Sequence, residues 1–355
     1  MVDQAHISPI LAQMGGALLA KGKVEFSLVL ALLFKPGSSF SLYSLASAFL
    51  IAAAALVIQR RSRGRRINLK LIPRALFPRR IVRSASTKSD LGFLLLNLFA
   101  VGGLIGWGLI SYGAVVHFVD AGLTSAFGKR PASPLNPWLI RAMLTLALFL
   151  TYEFAYWLDH YLSHAVPLFW EFHRVHHTAE TLTPLTVFRV HPMETLKFSN
   201  VVAIVTGVVG GTGCYLAGQL MNDINLQGSN LFLLAFIFVT VHLQHSHAWI
   251  AFTGKWGRVF ASPAHHQIHH SADPAHFGKN LGSCLALFDW LFGTLRIPTT
   301  AREPLVYGVE PGEDAPHTIT GGLITPFVRA AATLVPKGLK PAAPIAAAEL
   351  VDGTR

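Results

Sequence analysis

Asp159-His160-Tyr161-Leu162-Ser163-His164 (DHYLSH) closes an apolar run that begins at Trp138, and residues 170–177 (WEFHRVHH) follow at once. In a helix, residues three and four apart share a face, so His160 and His164 stack one turn apart where a membrane-crossing helix meets water. His173 with His176 or His177 repeats the arrangement on the next helix, beside Glu171 and Arg174. His266 with His269 and His270 gives it a third time behind His265, and His242, His245 and His247 gather at the end of another apolar run. Most of the chain's 17 histidines fall in these clusters. A lone His-x-x-x-His at a helix end is more often a surface pair than a ligand pair. So many imidazoles at the polar ends of apolar runs fit few tasks other than holding two or more transition-metal ions. Imidazole suits zinc, copper, iron and nickel, a helical bundle projecting ligands inward can hold a metal pair, and iron is the metal expected.

The composition places that site in a membrane. Of 355 residues, 52% are hydrophobic and 13% charged, with a mean hydropathy of +0.46; a soluble domain carries about a quarter charged residues. The net charge of +11 would suggest nucleic acid in a soluble protein. Here much of it lies between two apolar runs, as Arg60, Arg61, Arg63, Arg65, Arg66, Lys70, Arg74, Arg79, Arg80, Arg83 and Lys88. The positive-inside rule accounts for such a stretch, and no aromatic-rich basic domain accompanies it, so nucleic-acid binding is set aside. Cys214 and Cys284 lack C-x-x-C spacing and give neither a disulfide framework nor thiolate ligation. Residues 1–20 lack the ordered features of a cleavable signal peptide.

Runs near the ~20 residues needed to cross a bilayer are expected at 39–58, 91–116, 138–157, 196–220 and 231–249. The shorter run 24–34 is expected to be half-embedded or interfacial. With the basic stretch in the cytoplasm, the second run exits and the loop 117–137 lies on the far side. The third run then returns His160 and His164 to the cytoplasmic face, and the fourth and fifth bring 242–247 and the last cluster to that same face. The predicted fold is all-α: a polytopic membrane helical bundle with a histidine-rich metal site on its cytoplasmic face, capped by one or two interfacial helices over 263–296. An N-terminal segment 1–38, a membrane domain 39–300 and a C-terminal extension 301–355 make up the chain. That extension is Pro/Gly/Ala-rich, and it reads as disordered from Lys337. A bacterial inner membrane is the expected location.

Taken in order, DHYLSH, WEFHRVHH, FRVHPME (188–194), QHSH (244–247), PAHHQIHHSADPAHFGKNLG (263–282) and FDWLFGTLRIP (288–298) resemble the membrane fatty acid hydroxylase and sterol desaturase superfamily, over roughly residues 90–300. The resemblance implies a non-haem di-iron centre, two irons per chain held almost wholly by histidines. It also implies O2-dependent hydroxylation or desaturation of a lipid, fatty acyl, sterol or related. The family's ligand positions match His160, His164, His173, His176, His177, His245, His266, His269 and His270. His247, where many bacterial members carry asparagine, and Gly278, where an acidic residue is common, depart from the pattern. His191, His242, His247 and His265 are each read as either a ligand or a support behind one, with orientation of a neighbour favoured for His191, and Asp159 is expected to accept an imidazole N–H. His6, His117 and His317 are isolated and expected to take no part.

Each turnover of such an enzyme needs two electrons. The chain carries no G-x-G-x-x-G on a strand–helix unit, no cysteine set for an iron–sulfur cluster and no H-P-G-G haem motif. A separate ferredoxin or cytochrome with its reductase is therefore implied. The basic stretch suits either an acidic donor or anionic lipid headgroups. Two other classes compete. A divalent-metal transporter would place ligands, usually with carboxylates, near the midplane in broken helices. A membrane zinc hydrolase acting on lipids would need fewer histidines and a carboxylate or serine at an open metal. Histidines at span ends and spans poor in acids rank both below the oxidase.

Overall fold

The computed structural model describes residues 27, 29–36, 38, 40–66, 70, 72–101, 105–226, 228–309 and 317–334. His6, most of segment 1–38 and the predicted tail from Lys337 lie outside them; within the run 24–34, residues 29–34 are helical. The described elements are helices, apart from a small ribbon (Asn225–Leu226 against Ser229–Asn230) and isolated bridges. In chain order the helices are α1 (Leu42–Ser62), α2 (Ile72–Leu76), α3 (Arg79–Val82), α4 (Ala85–Leu96), α5 (Tyr112–Phe127), α6 (Pro137–Ala165) and α7 (Pro167–His177). They continue with α8 (Pro192–Ala217), α9 (Leu231–Gln244), α10 (Gly254–Val259), α11 (Pro263–His269), α12 (Leu287–Phe292) and α13 (Ile319–Leu334). Four stretches are long and apolar enough to cross a membrane: Leu42–Ser62, Gly106–Phe127, Pro137–Ala165 and Pro192–Ala217. Large apolar side chains such as Phe118, Met143, Leu146, Ile204 and Val208 face outward on them, as lipid-facing helices require. The chain is an integral membrane protein of helical architecture.

The two longest helices show how the sequence sets their ends. Asn136 caps α6 by accepting from the Trp138 N–H, and Pro137 takes the first helical position, where its missing N–H costs nothing. The helix stops at Val166, because the following Pro167 disfavours a helical residue before it, and Pro167 itself opens α7. A single residue thus joins α6 to α7 and folds His173 and His177 back beside His160 and His164. His191 caps α8 by accepting from the Met193 N–H, and Gly218 ends it in the left-handed conformation, φ 68°. Along α8, Gly207, Gly210 and Gly211 admit α5 at close range; a Cβ on Gly211 would lie 2.6 Å from the Val116 carbonyl oxygen.

Two expected spans are corrected. The run 91–116 is not one crossing helix. α4 gives way to a π-turn over Asn97–Val101, a 3-10 turn follows at Gly106–Gly108, and Ser111 caps a fresh helix that fills much of the supposed loop 117–137. The glycines in this stretch weaken a continuous helix by about 1 kcal/mol each. The fifth run is also shorter than expected: α9 contains a π-turn at Ile237–Val241 and stops at Gln244, short of the length that counts as a crossing. In the C-terminal extension, α13 packs on α7 and α4, with Gly322 beside Val175 of α7 and Phe93 of α4, a helix the Pro/Gly/Ala-rich reading does not anticipate.

Gly211→Val should destabilise the α5–α8 contact, by about 1–3 kcal/mol for overpacking, and lower the thermal midpoint in detergent. Gly122→Ala on the open face of α5, with nothing within 4 Å of its added Cβ, should leave that midpoint unchanged or higher.

Candidate metal centre

The histidines come together from α6, α7, α11 and the turn after α9. α7 buries His173, His176 and His177, and α11 buries His266 and His269 with His270 as its C-cap. His245 leaves helical geometry at the end of α9 (φ −95°, ψ 55°), which turns its ring toward α7. Two groups result. His160, His164, His173, His177 and His269 offer ring nitrogens within 4.8 Å of one another, and so do His176, His245, His266 and His270. The His177 and His270 rings stack at 4.6 Å and link the two.

Hydrogen bonds fix which nitrogens face inward. His160 Nδ1 donates to the Leu281 carbonyl at 2.8 Å, and His269 Nδ1 donates to the Lys279 carbonyl at 2.9 Å. His173 Nδ1 donates to the Glu194 carboxylate. A carbonyl only accepts, so a neutral ring that gives its Nδ1 proton outward keeps a lone pair on Nε2. Yet His160 Nε2 stands 3.1 Å from His173 Nε2, and His177 Nε2 stands 3.2 Å from the same atom. The buried His269 Nε2 has no hydrogen-bond partner at all. Lone pairs converging this closely repel unless a cation sits between them, and nitrogens about 2.1 Å from one ion lie about 3 Å apart. In the second group, His245 Nε2 is 3.1 Å from His176 Nε2 and 2.9 Å from His266 Nε2, with His270 Nε2 3.1 Å from His266 Nε2. The donor set fits a pair of imidazole-binding transition metals.

Burial keeps these rings neutral, the form that ligates. It pushes the His176 imidazole down to about 3 and the His269 imidazole to about 4, and lowers His173, His177, His245, His266 and His270 in the same direction.

The other predicted residues lie elsewhere. Asp159 is a correction: it accepts from Lys197 Nζ at 2.7 Å, not from an imidazole. A helix turns about 100° per residue, so the neighbour of His160 cannot share its direction. His191 caps α8 and donates through Nε2 to the Leu323 carbonyl at 3.1 Å, which orients the helix carrying Glu194. His242 pairs with Ser44 Oγ, His247 donates to the Ala75 carbonyl, and His265 bonds Ser262 and Gly257. None of the three joins either group. His117 and His317 stand outside both groups as well. Glu194 was overlooked, although an acid in the first turn of an apolar helix is its visible signal. Asp289 accepts from the Leu281 and Gly282 N–H groups, and Glu153 from the Cys284 and Leu285 N–H groups, all at 2.8 Å. Together they clamp the loop whose Leu281 carbonyl holds His160.

Two cavities flank the histidines. One of about 340 Å³ touches both groups through His160, His173, His176 and His245, with Tyr156, Phe188 and Phe198 on its walls. The other, about 470 Å³, reaches only the first group, through His164, His177 and His269.

A helical membrane protein with two adjoining groups of buried histidines that could hold metal ions is the class this geometry defines. Residues 145–294 match the family described as fatty acid hydroxylase, and that segment belongs to the fatty acid hydroxylase/sterol desaturase superfamily. Over 46% of its length the chain is 25% identical to an alkylglycerol monooxygenase of Caenorhabditis elegans, covering 28% of that protein. Over 48% it is 26% identical to the Delta(7)-sterol 5(6)-desaturase erg3C of Aspergillus fumigatus, covering 52%. The chain thus spans about half or less of the curated relatives it matches. No solved structure matches.

Glu194→Gln removes the carboxylate behind His173 and should weaken metal retention about 10–100-fold, read as bound metal after dialysis against a chelator. The metal-free protein should lose stability as pH falls. Unfolded histidines take up protons near pH 6.5 while the folded ones resist until about 3 to 4, so stability rises with pH across that window. Its thermal midpoint should drop between about pH 7.5 and 5.5.

Proposed function

We propose that this chain is a membrane-bound non-haem di-iron oxidoreductase that hydroxylates or desaturates a C–H bond of a lipid, taking electrons from a separate ferredoxin or cytochrome with its reductase. The observation that carries the reading is the convergence of Nε2 lone pairs from His160, His173 and His269, fixed inward by outward Nδ1 hydrogen bonds. His160, His164, His173, His177 and His269 would hold one iron and His176, His245, His266 and His270 the other. Two irons bound there would supply activation of O2 and oxidation of an unactivated C–H bond. A monooxygenase and a desaturase among the relatives support that chemistry without choosing between its two outcomes. Hydroxylation consumes O2, two electrons and two protons and releases one water; desaturation with the same inputs releases two.

The residues of the chain bind and orient. The cavity of about 340 Å³ seats the lipid carbon to be oxidised, because it alone of the two flanking cavities touches both groups. Tyr156, Val187, Phe188, Val190 and Phe198 line it and give the lipid an apolar wall. The basic stretch 60–88 supports a cytoplasmic face for the histidine groups by the positive-inside rule, where a soluble donor would reach them.

Lipid extracts from cells with and without the chain should differ by a gain of one oxygen or a loss of two hydrogens, with about two irons per purified chain and O2 consumed. His176→Ala should abolish turnover with the fold retained. Val190→Trp, which fills the cavity, should abolish turnover with iron retained. Ion transport without lipid change, or one zinc with lipid hydrolysis, would replace this reading.

A further inference from the structure

Among the described residues, Asn280 alone has a positive φ without being glycine, at 56°. The left-handed region crowds the Cβ of an L-residue; asparagine enters it more readily than most side chains, and only glycine enters it freely. A buried residue held there points to something in the fold that depends on the turn. The carbonyls on either side of Asn280 show what depends on it. Lys279, before it, accepts from His269 Nδ1, and Leu281, after it, accepts from His160 Nδ1. Two of the three outward hydrogen bonds that aim the first histidine group therefore end on the immediate neighbours of one residue.

Rotation about the N–Cα bond of Asn280 swings the peptide carrying the Lys279 carbonyl relative to the peptides that follow, including the one carrying the Leu281 carbonyl. At a negative φ, with the neighbouring dihedrals unchanged, the two acceptors would part. His160 lies on α6 and His269 on α11, so this single turn bridges candidate ligands from two helices.

The side chain braces the turn. Its Nδ2 donates to the His265 carbonyl at 3.0 Å and to the Arg296 carbonyl at 2.9 Å, and its Oδ1 accepts from the Arg296 N–H at 2.7 Å. Two carbonyls and one N–H leave the amide a single orientation, because a carbonyl only accepts. The Asn280 N–H donates to the Thr294 carbonyl at 2.9 Å. These four bonds fasten the residue to the stretch 294–296 and to α11, the helix that carries His266 and His269. Asp289 and Glu153 pin the loop beyond it, through N–H groups of residues 281–285.

We propose that Asn280 is a positioning residue for the first histidine group, acting through the Lys279 and Leu281 carbonyls on His269 and His160. The proposal rests on the reading of that group as a metal site. It assigns the role to the left-handed turn, with the side-chain amide as the brace that keeps a residue other than glycine in it. The second group takes no such aim, since the Nδ1 atoms of His245, His266 and His270 have no hydrogen-bond partner. Loss of the turn therefore loosens the first group and spares the second.

The full chain, purified in detergent, is loaded with cobalt(II) and dialysed against a chelator, and the cobalt kept per chain is counted. The parent should keep about two ions. Asn280→Ala should weaken retention of one of them about 10–100-fold and leave the other. Asn280→Gly loses the same side-chain bonds yet enters the turn freely, so it should weaken the same ion by less. A residue that only stiffened the fold would give the reverse order, because glycine adds freedom to the unfolded chain. Combined with His164→Ala, which breaks the first group, Asn280→Ala should remove nothing further; combined with His266→Ala, which breaks the second, it should release the remaining ion. Both ions lost together, or retention in Asn280→Gly no better than in Asn280→Ala, would overturn the proposal. A parent that binds no cobalt would overturn the metal reading along with it, whereas a parent that keeps two ions beside an unaffected Asn280→Ala would overturn this inference alone.

Discussion

Lone-pair repulsion among buried neutral imidazoles is the constraint around which the rest of the molecule is arranged. His160, His173 and His269 each surrender the Nδ1 proton outward, to Leu281, Glu194 and Lys279. Their Nε2 atoms are thereby committed to a shared centre that only a cation makes favourable. The second group is built otherwise. The Nδ1 atoms of His245, His266 and His270 are buried without a hydrogen-bond partner, so no outward hydrogen bond aims those rings. The two histidine groups therefore differ in how firmly their ring nitrogens are aimed.

Aiming imidazoles in this way requires rigid backbone acceptors, and the chain provides them at the cost of buried acids. Asp289 and Glu153 bind four successive-loop N–H groups between Leu281 and Leu285. Without those carboxylates the loop would leave its amides unpaired in an apolar setting, at about 1–3 kcal/mol each. The loop stands still because the acids sit beneath it, and the Leu281 carbonyl stands still with it. Residues outside both histidine groups thus set the direction of one ring.

Much of this was legible in the sequence, for reasons that can be named. Helical spacing brought His160 over His164 and His266 beside His270, because i, i+4 geometry is local. Apolar length marked α1, α6 and α8, because crossing a bilayer demands it. The break between α4 and α5 was hidden, since glycine lowers helix stability without lowering hydropathy. The end of α9 at Gln244 was hidden too, because a π-turn has no compositional mark. Asp159 adjoins His160 in sequence but not around the helix, so its partner Lys197 has no mark in the motif. The acceptors for His160 and His269 are backbone carbonyls, and no side-chain pattern announces them. Only Glu194 left a trace, and it stood within a quoted motif.

A last feature explains how α8 is brought to its place. Arg189 and Asp90 form a pair with no solvent exposure, Nε to Oδ1 at 2.8 Å. Such a pair is costly to desolvate and repays that cost only when its remaining groups are hydrogen-bonded. Here they are: Arg189 also donates to Thr178 Oγ1 and the Ser86 carbonyl, and Asp90 Oδ2 accepts from Thr183 and Thr186. A hydrophobic substitute of similar volume would fill the space, yet it would not fix the angle at which the loop 178–189 leaves α7. That loop delivers His191 to the start of α8, and three residues later Glu194 meets His173. The ion pair is best understood as a device for register. It links α4, the end of α7 and the start of α8 at one point, so the carboxylate arrives where the first histidine group needs an acceptor.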